Sequence, residues 1–488
     1  MSSNHTTIAK YQHYINGDFV DSLSSGDYID VLDPCTEEVI AVVPRGGQKE
    51  ADAAIDAAVA AQHEWSLLPS VVRANYLKAM ANVIRENRVM LAETLAREQA
   101  KVKGLAQVEI DVTAEYYDYY AGFARAYEGE IIQSDRPGEQ IFLHKLPIGV
   151  VVGICPWNFP FFVMARKIAP SLLTGNTIVV KVSEEAPLTC LAFTKLLDKV
   201  NLPKGVLNVV CGYGSEIGEA LTNNKNVGII SLTGSVDSGH KVMAAAAKNI
   251  TKVSLELGGK APAIVCRDAD MEVAVKAIVA SRVIYSGQVC NCAERVYVEE
   301  AVYDEFLEKL TAAMKAVKVG NASNDSNIDM SAQINRKQLD KIDGMVGRAQ
   351  SAGAKIVIGG KKSTAFGKGY FYEPTIIVDV KQDAEIMQKE VFGPVLPVMK
   401  VKDFDEALKH ANDSEYGLTS AVYTRDINKM LRATKELKFG EVYFNRENFE
   451  AIQGFHAGWR KSGIGGADGK HGLEEYLQTK TVYIQQTV

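Results

Sequence analysis

Short apolar, β-branched segments alternate with helical segments through the middle of the chain, and this alternation constrains the fold most. The strand-like segments lie at 149–154, 177–181, 207–210 and 228–231. The helical segments between and after them lie near 160–173, 187–200, 215–223 and 236–248. Strands that are apolar along their whole length are typical of a parallel sheet built from right-handed βαβ units. Such sheets bind ligands beyond the carboxyl ends of their strands, so we expect a ligand site there.

The rest of the chain predicts further helices, a second α/β region and two edge strands. Helical composition covers 49–65 and 71–102, which we predict as two helices. The second alternating region comprises a strand near 262, a helix at 300–318, and strands near 355–358, 374–379, 395–400 and 420–424. Extended segments at 128–145 and 479–488 are predicted edge strands, which favour pairing with another subunit.

Composition excludes several classes of partner. The 488 residues carry a formal net charge of -6 without acidic or basic blocks, so we expect neither nucleic acid nor a membrane as a partner. The apolar stretch 148–165 contains Pro156 and Pro160, which would break a membrane-spanning helix. Seven cysteines and an N-terminus without an apolar signal-like run favour a reducing compartment, the cytoplasm.

Cys290 is the candidate nucleophile. It follows Gly287-Gln288, and we predict it at the start of a helix, where free N–H groups and the helix dipole would stabilise a thiolate. Cys292 forms a CxC pair with it, but no second ligand pair is near in the sequence, so we expect no metal site. Cys155 and Cys266 lie in apolar runs and are predicted core thiols.

Four further motifs accompany this cysteine. They are Pro156-Trp157-Asn158, Lys181-Val182-Ser183-Glu184, Gly234-Ser235, and Leu255-Glu256-Leu257-Gly258-Gly259-Lys260. The first three each follow a predicted parallel strand, so we expect them at one rim of the sheet.

In this order the five motifs resemble the NAD(P)-dependent aldehyde dehydrogenase superfamily, and the similarity runs from residues 15–17 to the last strand. Within it, 445–450 and 454–460 resemble the bacterial lactaldehyde and glycolaldehyde dehydrogenases. The resemblance implies that a short hydroxyaldehyde, such as L-lactaldehyde or glycolaldehyde, is oxidised to the acid with NAD. It also implies that Cys290 attacks the aldehyde, that Asn158 and the Cys290 N–H hold the oxyanion, and that Glu256 activates the hydrolytic water. The superfamily's Gly-Arg-Glu is Gly465-Gly466-Ala467 here, which leaves Glu256 as the sole expected base.

The resemblance also assigns the cofactor residues. Lys181 and Glu184 would bind the adenosine ribose, and a carboxylate at 184 would repel a 2′-phosphate, which favours NAD over NADP. Gly234 and Ser235 open a helix that would face the pyrophosphate. The other implied cofactor contacts are Pro156, Trp157, Ser183, Gly214, Leu257, Glu390 and Phe392.

Four residues are placed by the resemblance around the substrate: Arg166, Asn291, Glu447 and His456. They would hydrogen-bond a substrate hydroxyl and so select a hydroxyaldehyde over its alkyl analogue. Two alternatives stay open. Arg166 and Glu447 could form a structural ion pair, or Arg166 could hold the far carboxylate of a semialdehyde such as succinate semialdehyde. A non-catalytic scaffold is disfavoured because nucleophile and base are both retained.

The implied fold is α/β, with a Rossmann-type cofactor domain, an α/β catalytic domain and a small β arm for oligomerisation. A chain of 488 residues is long enough for such a division. The boundaries are 1–124 and 146–258 for the NAD-binding domain, 259–456 for the catalytic domain, 125–145 and 475–488 for the arm, and 457–474 for a return to the cofactor domain. We expect a homo-oligomer, a dimer of dimers.

Overall fold

The computed structural model describes residues 8–486, so residues 1–7 and 487–488 of the predicted first domain and arm lie outside it. Up to residue 258 the elements are β1 (Ala9–Lys10), β2 (His13–Ile15), β3 (Asp18–Val20), β4 (Tyr28–Leu32), β5 (Val39–Pro44), α1 (Gln48–Leu67), α2 (Ser70–Glu86), α3 (Arg88–Gln99), α4 (Lys103–Gly122), β6 (Glu130–Ile132), β7 (Glu139–Pro147), β8 (Val150–Ile154), α5 (Pro160–Leu173), β9 (Thr177–Lys181), α6 (Leu188–Thr194), β10 (Leu207–Val210), α7 (Glu219–Thr222), β11 (Val227–Thr233), α8 (Val236–Ala247) and β12 (Lys252–Glu256).

The second half of the chain contains the remaining elements. They are β13 (Ala261–Val265), α9 (Met271–Val283), β14 (Ala293–Glu299), α10 (Tyr303–Lys315), α11 (Arg336–Ser351), β15 (Lys355–Ile358), β16 (Thr375–Val378), α12 (Glu385–Gln388), β17 (Val395–Val401), α13 (Phe404–Asn412), β18 (Thr419–Tyr423), α14 (Ile427–Glu436), β19 (Glu441–Phe444), β20 (Gly463–Ile464), α15 (Gly469–Glu474) and β21 (Leu477–Gln485).

Two large sheets carry the site. The first has eight strands in the order β20-β12-β11-β8-β9-β10-β2-β3, and β12 to β10 run parallel. The second has seven strands in the order β15-β16-β17-β14-β13-β18-β19, parallel except for β15. The predicted parallel α/β fold is therefore confirmed. The apolar strands β8, β9 and β10 are almost wholly buried, because helices cover both faces of the sheet.

Helix α5 connects β8 to β9 through the interior and positions much of the site. Pro160 occupies its first turn, where a missing N–H costs nothing. Every residue from Pro160 to Leu173 is buried, including the charged Arg166 and Lys167. The helix therefore delivers a guanidinium into the interior, where it needs an internal counter-charge.

Several local predictions need correction. The segment 71–102 contains two helices, because the chain turns at Asn87 between α2 and α3. The segment 215–223 begins with a single π turn at Gly214–Gly218. Cys290 does not begin a helix; it lies in the turn that precedes β14, so no helix dipole acts on it. The sequence signal there, a Gly-Gln step, marks the turn itself.

The arm is a three-stranded sheet in the order β21-β7-β6. Strand β21 pairs antiparallel with β7 from Leu477 opposite Pro147 to Gln485 opposite Glu139. Its exposed apolar side chains are Ile131, Ile132, Tyr483 and Ile484. Strand β20 pairs antiparallel with β12 at the edge of the first sheet. The domain boundaries themselves stay a prediction. None of the helices between residues 8 and 486 combines the length and apolar character that crossing a bilayer requires.

Candidate active site

One cavity of about 1500 Å³ opens at the carboxyl ends of β8, β9, β11 and β12. It brings together all the predicted site residues except one. Those on its lining are Pro156, Trp157, Asn158, Arg166, Lys181, Ser183, Glu184, Gly214, Gly234, Ser235, Glu256, Leu257, Cys290, Asn291, Glu390, Phe392 and His456. The rim expected from the strand order is thus where these residues meet.

Asn158 is hydrogen-bonded to the backbone of the loop that contains Cys290, residues 284–292, which we call the cysteine loop. The Asn158 Nδ2 donates a hydrogen bond to the carbonyl oxygen of Gln288 at 3.0 Å, two residues before the half-buried Cys290. A side-chain amide has two N–H groups, so one hydrogen bond fixes its orientation and leaves the second for another acceptor. This arrangement suits an oxyanion donor beside a nucleophile.

Glu256 ends β12 as a buried carboxylate. Neither of its oxygens has a hydrogen-bond partner among residues 8–486. The nearest cation is His456, whose Nε2 lies 3.5 Å from Glu256 Oε2. Burial raises the pKa of Glu256 to about 7. A carboxyl group that titrates near neutral pH is well matched to accepting a proton from water.

His456 lies between two carboxylates. Its Nδ1 is 2.8 Å from Glu441 Oε1, on the opposite side of the ring from Glu256. Burial alone would lower the pKa of His456, but the Glu441 carboxylate, a hydrogen bond with Cys290 and the Glu256 carboxylate together raise this pKa well above the ordinary value. The ring is therefore a cation that faces the interior of the cavity.

Arg166 is the centre of a buried charge network. Its Nε lies 3.0 Å from Asp468 Oδ1, and its Nη2 lies 2.9 Å from Glu450 Oε1. The second Glu450 oxygen accepts a hydrogen bond from Asn291 Nδ2. The Asn291 Oδ1 is buried without a partner among the described residues. Arg166, Glu450 and Asn291 thus line the same cavity as Cys290, and the Asn291 acceptor is still free.

Glu447 is the predicted residue that the structure does not bring into the cavity. It lies on the surface, with Arg446 Nη2 3.2 Å from its Oε1. The turn after β19 begins with Asn445 in a left-handed conformation, and Glu450 is the glutamate of this segment that faces the cavity. The alternative pair of Arg166 with Glu447 is replaced by pairs with Glu450 and Asp468.

Three acidic residues of the site escaped sequence reasoning: Glu441, Glu450 and Asp468. Glu450 offered a signal, since it lies three residues after Glu447 in the same motif. Asp468 directly follows Ala467, the position where the superfamily glutamate is missing. Its carboxylate also accepts a hydrogen bond from Tyr116 Oη at 2.9 Å. No local pattern in the sequence indicated that this aspartate reaches Arg166.

The opposite end of the cavity suits a dinucleotide. Lys181 Nζ lies 2.8 Å from Glu184 Oε2, at the end of β9. Ser235 caps α8 by accepting a hydrogen bond from the Ser238 N–H, so the first turn of a twelve-residue helix faces the cavity. Helix N-termini bind phosphates through their free N–H groups. A cavity of this size, lined by Lys181, Glu184 and the first turn of α8, therefore fits the expected cofactor.

Glu390 and Phe392 also line the cavity. Glu390 accepts a hydrogen bond from the Gly259 N–H at 2.8 Å, and burial raises the pKa of this glutamate to about 7. Phe392 packs edge-on against Trp157, with 5.4 Å between the ring centroids. Both side chains line the cavity that also contains Cys290.

The other cysteines are buried. Cys292 has no exposed surface, and its Sγ lies 2.9 Å from Arg282 Nη2. Burial raises the pKa of Cys292 to about 12, and it does the same for Cys266 and raises that of Cys155 to about 11. They are therefore poor nucleophiles beside Cys290. No group of three His, Cys, Asp or Glu side chains between residues 8 and 486 could hold a metal ion.

The aldehyde dehydrogenase family model matches residues 19–482. The chain belongs to the aldehyde dehydrogenase family. It is 56% identical over 472 residues to a lactaldehyde dehydrogenase of Escherichia coli (strain K12), covering 97% of this chain and 98% of the relative. It is 44% identical to a 3,6-anhydro-alpha-L-galactose dehydrogenase of Vibrio sp. (strain EJY3), covering 98% and 99%.

Solved structures of this family superpose closely on the chain. The crystal structure of the Escherichia coli lactaldehyde dehydrogenase has a TM-score of 0.96 at 55% identity, covering 98% of this chain and 100% of that one. A Staphylococcus aureus betaine aldehyde dehydrogenase in complex with NAD+ has a TM-score of 0.95 at 36% identity, covering 97% and 94%. The expected fold, the oxidation of an aldehyde to an acid and the nicotinamide cofactor are therefore confirmed.

Proposed function

We propose that this aldehyde dehydrogenase oxidises short 2-hydroxyaldehydes, L-lactaldehyde or glycolaldehyde, with NAD. The observation that carries the proposal is the cluster of Arg166, Asn291, Glu450 and His456 beside Cys290. A buried cluster of donors and acceptors favours a substrate that carries a hydroxyl group, because an alkyl chain would leave it unpaired. The lactaldehyde dehydrogenase relative supports this substrate class.

The first half of the reaction takes place at Cys290. The Cys290 thiol gives its proton to solvent water, and its Sγ then attacks the aldehyde carbon to form a C–S bond. The carbonyl oxygen becomes an oxyanion, which accepts hydrogen bonds from the free Asn158 N–H and the Cys290 backbone N–H. Asn158 is held for this task by Gln288, as described above. A bound nicotinamide supplies the acceptor for the hydride that leaves this carbon.

The residues that would hold the cofactor all line the cavity. Lys181 and Glu184 would bind the adenosine ribose, and Ser235 opens the helix whose N–H groups would meet the pyrophosphate. Glu390 and Phe392 would hold the nicotinamide ribose and ring end. We propose NAD as the preferred form because the Glu184 carboxylate would repel a 2′-phosphate. The other expected contacts, all on the cavity lining, are Pro156, Trp157, Ser183, Gly214, Gly234 and Leu257.

The second half of the reaction is hydrolysis of the Cys290 thioester. Glu256 removes a proton from water, whose oxygen attacks the acyl carbon, and the thiolate of Cys290 is the leaving group. Two features of Glu256 support this role: both its oxygens are free, and its pKa lies near 7. The nearby His456 cation favours the ionised form of Glu256. The product is the free carboxylic acid.

The semialdehyde alternative has less support. It requires Arg166 to hold the far carboxylate of the substrate. Arg166 is already engaged by Asp468 and Glu450, and Glu256 lies in the same cavity. A further carboxylate would compete with Asp468 and Glu450 for Arg166, in a cavity that already carries the carboxylates of Glu256 and Glu450, which is unfavourable at short range. A substrate hydroxyl meets no such repulsion.

We also propose a homo-oligomer that assembles through the arm, a dimer of dimers, and a cytoplasmic location. The exposed apolar side chains of β6 and β21 and the unpaired edges of their sheet support assembly. Free thiols at all seven cysteines support a reducing compartment.

A panel of aldehydes tests the proposal. Formation of NADH or NADPH is measured with L-lactaldehyde, glycolaldehyde, propanal and succinate semialdehyde, each with NAD and with NADP. We expect the hydroxyaldehydes with NAD to give the highest kcat/KM, and Cys290→Ala to abolish NADH formation. A preference for succinate semialdehyde, or turnover by Cys290→Ala, would contradict the proposal.

A further inference from the structure

A lysine with no exposed surface contacts both the loop of Asn158 and the loop that leads to Cys290. Lys101 follows α3, and its Nζ donates a hydrogen bond to the carbonyl oxygen of Asn158 at 2.7 Å. The same Nζ lies 3.8 Å from the ring centroid of Phe159 and 4.6 Å from that of Tyr285. Asn158 and Phe159 belong to the loop of the oxyanion donor, and Tyr285 to the loop that leads to Cys290. One cation therefore contacts both loops.

Gln99, near Lys101 in the chain, also contacts both loops. Gln99 Nε2 donates to the carbonyl oxygen of Asn158 at 3.2 Å and also to that of Trp157. The Tyr285 hydroxyl donates to the carbonyl oxygen of Gln99 at 3.1 Å. Ala100, which lies between Gln99 and Lys101, has a left-handed backbone with φ of 52°. This conformation turns the side chains of Gln99 and Lys101 toward the two loops.

Glu109 on α4 completes the attachment of the lysine. One of its oxygens pairs with Lys101 Nζ, so the buried cation has a buried counter-ion. The other oxygen accepts hydrogen bonds from the N–H groups of Phe161 at 3.1 Å and Phe162 at 3.2 Å. These N–H groups belong to the first turn of α5, directly after Asn158. Glu109 thus fixes the lysine and the start of the helix together.

The cysteine loop needs such support. Tyr285 and Ser286 both have left-handed backbone conformations, with φ of 44° and 54°. Non-glycine residues in this region are strained and persist only where their surroundings hold them. Gln288 closes the loop, since its Nε2 donates to the Tyr285 carbonyl oxygen at 3.1 Å while its own carbonyl accepts from Asn158. Lys101, Asn158, Gln288 and Tyr285 therefore form a closed ring of contacts.

We propose that Lys101 is a positioning residue for the oxyanion site. By holding the Asn158 carbonyl and the Tyr285 ring, it fixes where the Asn158 amide lies relative to Cys290. This inference rests on the proposed roles of Asn158 and Cys290. Lys101 does not line the cavity, so its effect on the reaction passes through Asn158. Loss of the lysine should slow the steps before hydride transfer and leave cofactor binding nearly unchanged.

Lys101→Met tests this inference in the full-length enzyme with L-lactaldehyde and NAD. We expect the pre-steady-state rate of NADH formation to fall on the order of 100-fold, the usual result of misplacing a catalytic group by about 1 Å. The KM for NAD should change by less than about threefold, because the cofactor residues are not touched. In an Asn158→Ala background the same change should cost less than about threefold, since coupled residues are not additive.

Glu98→Gln is the matched control. Glu98 is a buried carboxylate in the last turn of α3, three residues before Lys101, but its hydrogen bonds come from Leu188 N at 2.6 Å and Thr189 N at 2.9 Å and not from either loop. This variant should lower the melting temperature and leave the rate of NADH formation unchanged. Gln99→Met serves if Lys101→Met does not fold, and it should show a loss of about tenfold with the same lack of additivity.

Two results would overturn the inference. One is an equal loss of rate on the wild-type and Asn158→Ala backgrounds. The other is a loss of stability alone, as for Glu98→Gln. A normal rate in Asn158→Ala itself would contradict the oxyanion role in the proposed function, whatever Lys101→Met shows. The two failures are therefore distinguishable.

Discussion

The two ends of the cavity are built in different ways. At the cofactor end, most groups lie at or directly after the end of a parallel strand, such as Glu184 after β9 and Ser235 after β11. At the aldehyde end, single side chains arrive from distant parts of the chain. Arg166 comes from α5 and Asn291 from the loop before β14. Glu450 comes from the segment after β19, and Asp468 from the turn between β20 and α15. The arrangement of the cofactor end follows from the sheet topology, whereas that of the aldehyde end depends on tertiary packing.

The charges at the two ends also differ in burial. The Glu184 side chain is 26% exposed beside Lys181, so water screens this pair. The Asp468 side chain is fully buried beside Arg166. Removing one partner of a buried pair costs about 3–5 kcal/mol, against about 0–1 kcal/mol for an exposed pair. Substitutions at the aldehyde end should therefore have larger effects than those at the cofactor end.

The largest expected effect of this comparison follows from Glu450→Gln. The change removes a charge that both Arg166 and Asn291 contact, so the hydroxyl-binding cluster loses its arrangement. We expect kcat/KM for L-lactaldehyde to fall on the order of 100-fold, and that for propanal by less than about tenfold.

Glu447→Gln is the control for this substitution, since Glu447 lies outside the cavity in the same segment. Its kinetics should match those of the wild-type enzyme with both aldehydes. A large loss from Glu447→Gln, or an equal loss for both aldehydes in Glu450→Gln, would show that the cluster has been assigned to the wrong glutamate or the wrong substrate group.

A smaller effect is expected from Glu184→Gln at the cofactor end. Removing the carboxylate should raise kcat/KM with NADP about tenfold, because a 2′-phosphate no longer meets a negative charge. The ratio of lactaldehyde to propanal activity should not change. An unaltered preference for NAD over NADP would mean that groups other than Glu184 set it.

The two ends of the cavity also differ in how far the sequence predicts them. Apolar runs in the sequence predict strands β8, β9, β10 and β11, and parallel sheet geometry predicts the rim where they end. The cofactor end could therefore be predicted from the sequence. The helix expected at Cys290 was wrong, because Tyr285 and Ser286 adopt left-handed conformations that tertiary contacts impose. The inward glutamate was assigned to Glu447 instead of Glu450 because the turn after Asn445 decides which side chain faces the cavity. Asp468 was missed because its partner lies 302 residues away in the chain.

The central claim is that Cys290 carries an acyl group which water, activated by Glu256, removes. The most direct measurement is rapid quenching of Glu256→Gln with L-lactaldehyde and NAD, followed by mass spectrometry of the peptide that contains Cys290. The account predicts one NADH per active site in a fast phase, slow turnover afterwards, and the mass of one lactoyl group on Cys290. An unmodified Cys290 peptide with turnover at the wild-type rate would contradict it.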